Sequence, residues 1–234
     1  MPRIAIAQIP MHWELATNVQ AMKQAMQLAR AQGAGLCAFA ELALTGFHRR
    51  IVEWAKPELV GPAVAEVQAA AASLGLTAPE ATFFEPGVGR PVLRVSLSPG
   101  ALACTAVICR EVEDHDAVVA QLASSGVELI LWPGQMRPDP AKPAQDPPAH
   151  VVQAQALARA TGAWVVQTNW PNALNRPEES EHSGHSACIA PSGELLFRLP
   201  RQGFGVGVFS LAERSFDWCP VSFGSTATAG SPSP

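Results

Sequence analysis

Two residues combine reactive chemistry with an unusual position in the sequence: Cys109 and Glu41. Cys109 ends the apolar run at 102–108, within GALACTAVICREVEDHD (100–116), and Arg110, Glu111, Glu113 and Asp114 follow at once. A short continuous apolar run suits a strand buried on both faces. A strand that stops at a cysteine and turns into a helix leaves the thiol at the carboxyl end of a sheet, beside N–H groups without intrahelical partners. Such groups favour an anion, so the expectation is a lowered thiol pKa and a nucleophilic sulfur. The plainer reading is one more buried cysteine. Glu41 closes the run LCAFAEL in the same way. A carboxylate there does nothing for packing, but the carboxyl end of a parallel strand is where α/β proteins bind ligands. Its plainer reading is a solvated strand end. Together the two supply a nucleophile and a base.

The elements that must position them follow from hydrophobic period. RIAIAQ at 3–8 reads as a first strand; Val19, Met22, Met26 and Ala29 keep one helical face after a cap at Thr17 or Asn18, and Gly33 and Gly35 end that helix. Residues 36–42 form a second strand, so the chain opens with a βαβ unit, parallel and right-handed. A helix over 58–74 and a turn-rich stretch (TFFEPGVGRP) lead to VLRVSL, which pairs through Pro99-Gly100 with the Cys109 strand as a hairpin. VELILWP (127–133), a proline-rich loop, a helix over 149–161 and AWVVQTN follow, then hairpins through HSACIA, LLFRL and GFGVGVFSL. Trp132 and Asn169-Trp170 fall at strand ends, where they could line a pocket or simply pack. The tail from 223 to 234 has little to bury and reads as disordered, leaving one domain over 1–222.

Composition bounds the function. Apolar residues are 48% of the 234 and the net charge is −4, without a Lys/Arg run, so neither nucleic acid nor membrane is an expected partner. The first residues lack a signal-peptide layout. Five cysteines (Cys37, Cys104, Cys109, Cys188 and Cys219) show no framework spacing, which suggests reduced thiols in the cytoplasm. His182, His185 and Cys188 have metal-binding side chains, but residues three apart on a strand face opposite sides, so no metal or cofactor is expected. Gly184-His185-Ser186 lacks the strand–turn–helix setting of a serine elbow.

In order, RIAIAQIP, AELALTGF, AVICRE, ELILWP, QALARATGAWVVQTN and SGHSACIAPSGELL resemble the segments of the nitrilase, or carbon–nitrogen hydrolase, superfamily. The resemblance implies mixed α/β sheets in a four-layer α-β-β-α sandwich. It also implies amidase-type hydrolysis of a small non-peptide amide or nitrile through a thioester. On that resemblance Glu41 is the base, Cys109 the nucleophile, and the Arg110 N–H an oxyanion donor; a homodimer or higher homo-oligomer is the implied assembly.

The family's catalytic lysine has no match. Only Lys56 lies between Glu41 and Cys109, ahead of a helix, and the interval reads as shortened by a few dozen residues. Arg94, the Arg110 side chain and Lys142 are the cations that could replace it. An arginine could stabilise an oxyanion but could not donate its proton. Glu111 stands where aspartate is common, and Gly162 where a glutamate often follows the position of Arg159. Two readings follow: a hydrolase with weak or altered activity, or a catalytically silent relative that binds a ligand or partner in the same pocket.

Overall fold

The computed structural model describes residues 2–76, 90–97, 100–136 and 146–222. Among these, the strands are β1 (Arg3–Gln8), β2 (Leu36–Ala38), β3 (Leu93–Ser96), β4 (Ala101–Ala106), β5 (Leu129–Gly134), β6 (Trp164–Asn169), β7 (Ala187–Ile189), β8 (Leu195–Arg198), β9 (Gly205–Ser210) and β10 (Phe216–Pro220). The α-helices are α1 (Leu15–Ala31), α2 (Ile51–Trp54), α3 (Pro57–Ser73), α4 (His115–Leu122) and α5 (Ala149–Thr161). They build two sheets, ordered β10-β9-β1-β2 and β3-β4-β5-β6-β7-β8. The opening unit is parallel, Ile4 opposite Leu36, and β3–β4 is the expected antiparallel hairpin, Arg94 opposite Ala103. The Pro99 turn, the proline-rich loop carrying Lys142, most of the turn-rich stretch before β3, and the tail all lie outside the described residues.

Strand alternation sets the layers. In β1, Ile4 and Ile6 join Leu102, Cys104, Leu129, Val166 and Cys188 in a core between the sheets, while Ala5 and Ala7 face Ala21, Met22, Ala25 and Ala29 of α1. Alanine on both surfaces brings helix and strand close. On the far side of the second sheet, Ile130 and Trp132 of β5 pack with Val118 and Leu122 of α4 and Val151 and Leu157 of α5. Helix, sheet, sheet, helix: the four layers implied by the motifs are present. No helix among the described residues is long and apolar enough to cross a membrane.

The core also gives a stability expectation. Ile130 is fully buried, so Ile130→Ala should cost about 2–5 kcal/mol. Val52 is 73% exposed, so Val52→Ala should stay within about 0.5 kcal/mol; urea titration of both variants checks the contrast.

Local geometry differs from the sequence reading around Glu41 and Cys109. β2 stops at Ala38, and Glu41 sits in a turn rather than on the strand. Leu42 takes a left-handed φ of 56° and the Gly46 N–H returns to the Leu42 carbonyl at 2.7 Å, so local closure wins over strand propensity. After β4 comes not an α-helix but one short 3-10 helix, Cys109–Glu113, with α4 starting at His115. β10 is absent from the sequence reading; Phe216-Asp217-Trp218 is too short an alternation to mark a strand and Pro220 cuts it off, and it gains its place by pairing with β9.

Candidate active site

Cys109 and Glu41 follow strands of different sheets, and their side chains come close enough for each to shift the proton affinity of the other. Cys109 has a φ of 48°, a conformation rare for a residue with a side chain and held only where the surroundings over-determine it. Several contacts do so. The Trp132 indole donates to the Cys109 carbonyl at 2.9 Å. The Ile108 N–H donates to the Glu111 carboxylate at 2.7 Å, which also pairs with Arg90 at 3.0 Å. Arg90 is largely buried and donates again to the Ala106 carbonyl, tying the end of β4 to the elbow.

The Glu41 turn belongs by sequence to the first sheet but is held by the second. The Trp170 indole donates to the Glu41 carbonyl at 2.8 Å, and the Thr168 hydroxyl donates to the Phe39 carbonyl at 2.7 Å. Thr168 and Trp170 share strand parity with Val166, which faces the first sheet, so spacing along β6 could have exposed them as anchors.

The electrostatics reverse the expectation from sequence. Burial pushes the Cys109 thiol up to about 11, and its hydrogen bond to Glu41 pushes the same way. The backbone N–H groups of Gln135 and Arg110 act in the opposite direction but do not prevail. The expected lowering fails because one short 3-10 turn offers only a weak anion site, whereas burial beside a carboxylate disfavours thiolate strongly. Glu41 is itself raised, chiefly by burial, the hydrogen bond from Cys109 partly offsetting this. Its Oε2 is buried and without a hydrogen-bond partner among the described residues, which leaves a carboxylate oxygen for a proton from outside.

Glu41 lines a cavity of about 770 Å³, and Cys109 adjoins its lining residue Ile108 without lining it. Glu41, Ile108 and Pro133 form one part of its wall; α1 contributes Met22 and Met26, and α3 contributes Val60, Val64 and Val67. Lys56, which its sequence position had placed away from the site, lines the same cavity from an exposed position at the start of α3. Its place could not be read from the chain because α3 folds back over α1.

The other site expectations sort as follows. Trp132 is fully buried in the helix-side core and does not line the cavity; its strand parity points it away from the sheet interface. Asn169 is buried and braces loops: its amide donates to the Met136 and Gly184 carbonyls at 2.6 and 2.8 Å, and its oxygen accepts from the Met136 N–H at 2.7 Å. Arg94 is exposed on edge strand β3, outside the cavity wall. The Arg110 guanidinium, 82% exposed, pairs with Glu113 at 3.0 Å, so only its backbone N–H serves the thiol. Lys142 lies outside the described residues. No cluster of three or more potential metal-ligating side chains occurs among the described residues.

Comparison with known proteins agrees with the architecture. The carbon–nitrogen hydrolase family model matches residues 3–78, from β1 through Glu41 to just beyond α3. The amidase from Nesterenkonia sp. AN1 superposes with a TM-score of 0.72 at 21% identity, over 90% of this chain and 93% of that chain. A variant of that amidase in complex with butyramide gives 0.70 at 21% identity, over 88% of this chain and 89% of that one. A further variant, described as an amidase of the nitrilase superfamily, gives 0.70 at 20% identity over the same shares. Among curated proteins, nothing matches. The chain has the fold of these amidases, and over residues 3–78 the family model supports the carbon–nitrogen hydrolase resemblance read from the motifs.

Proposed function

We propose that this protein is an amidase-type carbon–nitrogen hydrolase with Cys109 as nucleophile and Glu41 as proton carrier. The observation that carries the reading is the approach of these two side chains beside a ligand-sized cavity that Glu41 lines. As sulfur bonds to the amide carbon, Glu41 takes the thiol proton, and the carbonyl oxygen becomes an oxyanion opposite the Arg110 N–H. Glu41 returns the proton to nitrogen, the carbon–nitrogen bond breaks, and ammonia or an amine leaves a thioester. Water then attacks with Glu41 accepting its proton, and the thiol departs protonated. Burial raises the proton affinity of Glu41, which suits it to this task. A nitrile would enter the same route by addition of the thiol across the triple bond.

Turnover is proposed to be slow. Losing one oxyanion donor costs about a hundred- to a thousandfold, and the described cations near the elbow are turned elsewhere, Arg110 to Glu113 and Arg90 to Glu111. The second reading, a silent ligand-binding relative, is favoured by one observation: a thiol held near 11. Denaturing mass spectrometry during incubation with simple amides separates the two. An acyl adduct on Cys109, absent in Cys109→Ala, is expected; unchanged turnover in Cys109→Ala rules out the nucleophile assignment.

A further inference from the structure

We infer that the cavity beside Glu41 is an acyl-chain site, and that the substrates are primary amides of apolar carboxylic acids with extended chains. This rests on the hydrolase reading for the position of the amide and adds the nature of the rest of the molecule. Glu41, whose side chain approaches Cys109, and Ile108, its chain neighbour, both line the cavity, so an amide carbon at the thiol would send its chain among the other lining residues. Those residues include Met22, Met26, Phe39, Val64, Val67 and Leu131.

Charge is scarce along this path: Glu41 and Lys56 are the charged side chains among the lining residues, and Lys56 is exposed. A two- or three-carbon amide would occupy a small part of about 770 Å³ and leave water against aliphatic walls. An alkyl or aryl chain would displace that water, which is the favourable exchange. The space exists because β2 is the edge strand of its sheet among the described residues and α3 covers the crevice without filling it.

Each methylene buried should strengthen binding about fourfold. Two measurements test this on the full chain. Calorimetry of acetamide, butanamide, hexanamide and octanamide binding to Cys109→Ala reads the cavity without turnover. Hydrolysis of the same series by the wild type reads the reaction. Affinity rising about fourfold per methylene, with a negative heat-capacity change, is the expected result. Val64→Trp should weaken octanamide at least tenfold with its circular dichroism spectrum retained; Val60→Phe serves the same purpose if Val64→Trp does not fold. Octanamide binding without hydrolysis of any amide would uphold the acyl site and defeat the hydrolase reading. Acetamide hydrolysis with affinity flat along the series, or octanamide binding undiminished in both cavity variants, would overturn the acyl site and leave the hydrolase reading standing.

Discussion

Glu41→Gln is expected to make Cys109 easier to alkylate while abolishing hydrolysis. The thiol is raised to about 11 by burial first and by the Glu41 hydrogen bond and charge next. Because the raised value favours the protonated form, the wild-type thiol should stay protonated through neutral pH and gain reactivity as pH climbs toward that value. Removing the carboxylate's charge leaves only burial opposed by the Gln135 and Arg110 N–H groups, so the thiolate fraction at pH 9 should rise severalfold. Hydrolysis should fall by at least a hundredfold, since the attacking sulfur loses its proton acceptor. Iodoacetamide labelling followed peptide by peptide from pH 7 to 10, beside turnover, measures both. Cys104, raised to about 12, and Cys188, pushed higher still by burial, should lag behind Cys109 throughout. Equal labelling of Cys109 in wild type and Glu41→Gln would show that the carboxylate does not govern the thiol.

Trp170→Phe is expected to cost more in catalysis than in stability. It keeps an aromatic ring in the core and deletes the indole N–H that holds the Glu41 carbonyl at 2.8 Å. Leaving that carbonyl unpaired should lower stability by about 1–3 kcal/mol. The turn that positions the base would then be free to shift, and a displacement near 1 Å costs about a hundredfold. The loss should fall on kcat rather than KM, because the cavity wall formed by α1 and α3 is untouched. Trp132→Phe should behave alike through the Cys109 carbonyl. A Trp170→Phe enzyme with normal kcat and a lowered melting temperature would mark the indole as purely structural.

Much of the architecture was legible in the sequence because strand parity and helical period are local. Ile4 and Ile6 against Ala5 and Ala7 already separate the two faces of β1, and the hairpin before Cys109 follows from Pro99-Gly100. The pairing of Glu41 with Cys109 came from the family resemblance, since their approach depends on how two sheets stack. What escaped was tertiary. The thiol's rise to about 11 depends on burial by residues from both sheets, and a local argument from helix N–H groups could not weigh it. Lys56 reaches the cavity wall only through the packing of α3 on α1. Trp132 and Asn169, placed at strand ends with a pocket in view, spend their polar groups on backbone carbonyls instead.

The division of the proposed reacting pair between two sheets would give the sandwich interior a second duty. Ile6, Leu102, Val166 and Cys188 touch no substrate, yet they set the spacing and slide of one sheet on the other, and so the distance between sulfur and carboxylate. The interior works as a gauge block. On the proposed mechanism, a methyl group lost there is expected to leave the fold standing in denaturant while sulfur and carboxylate drift out of reach. On that mechanism, tolerance to substitution in this core is limited by the alignment of sulfur and carboxylate before it is limited by unfolding.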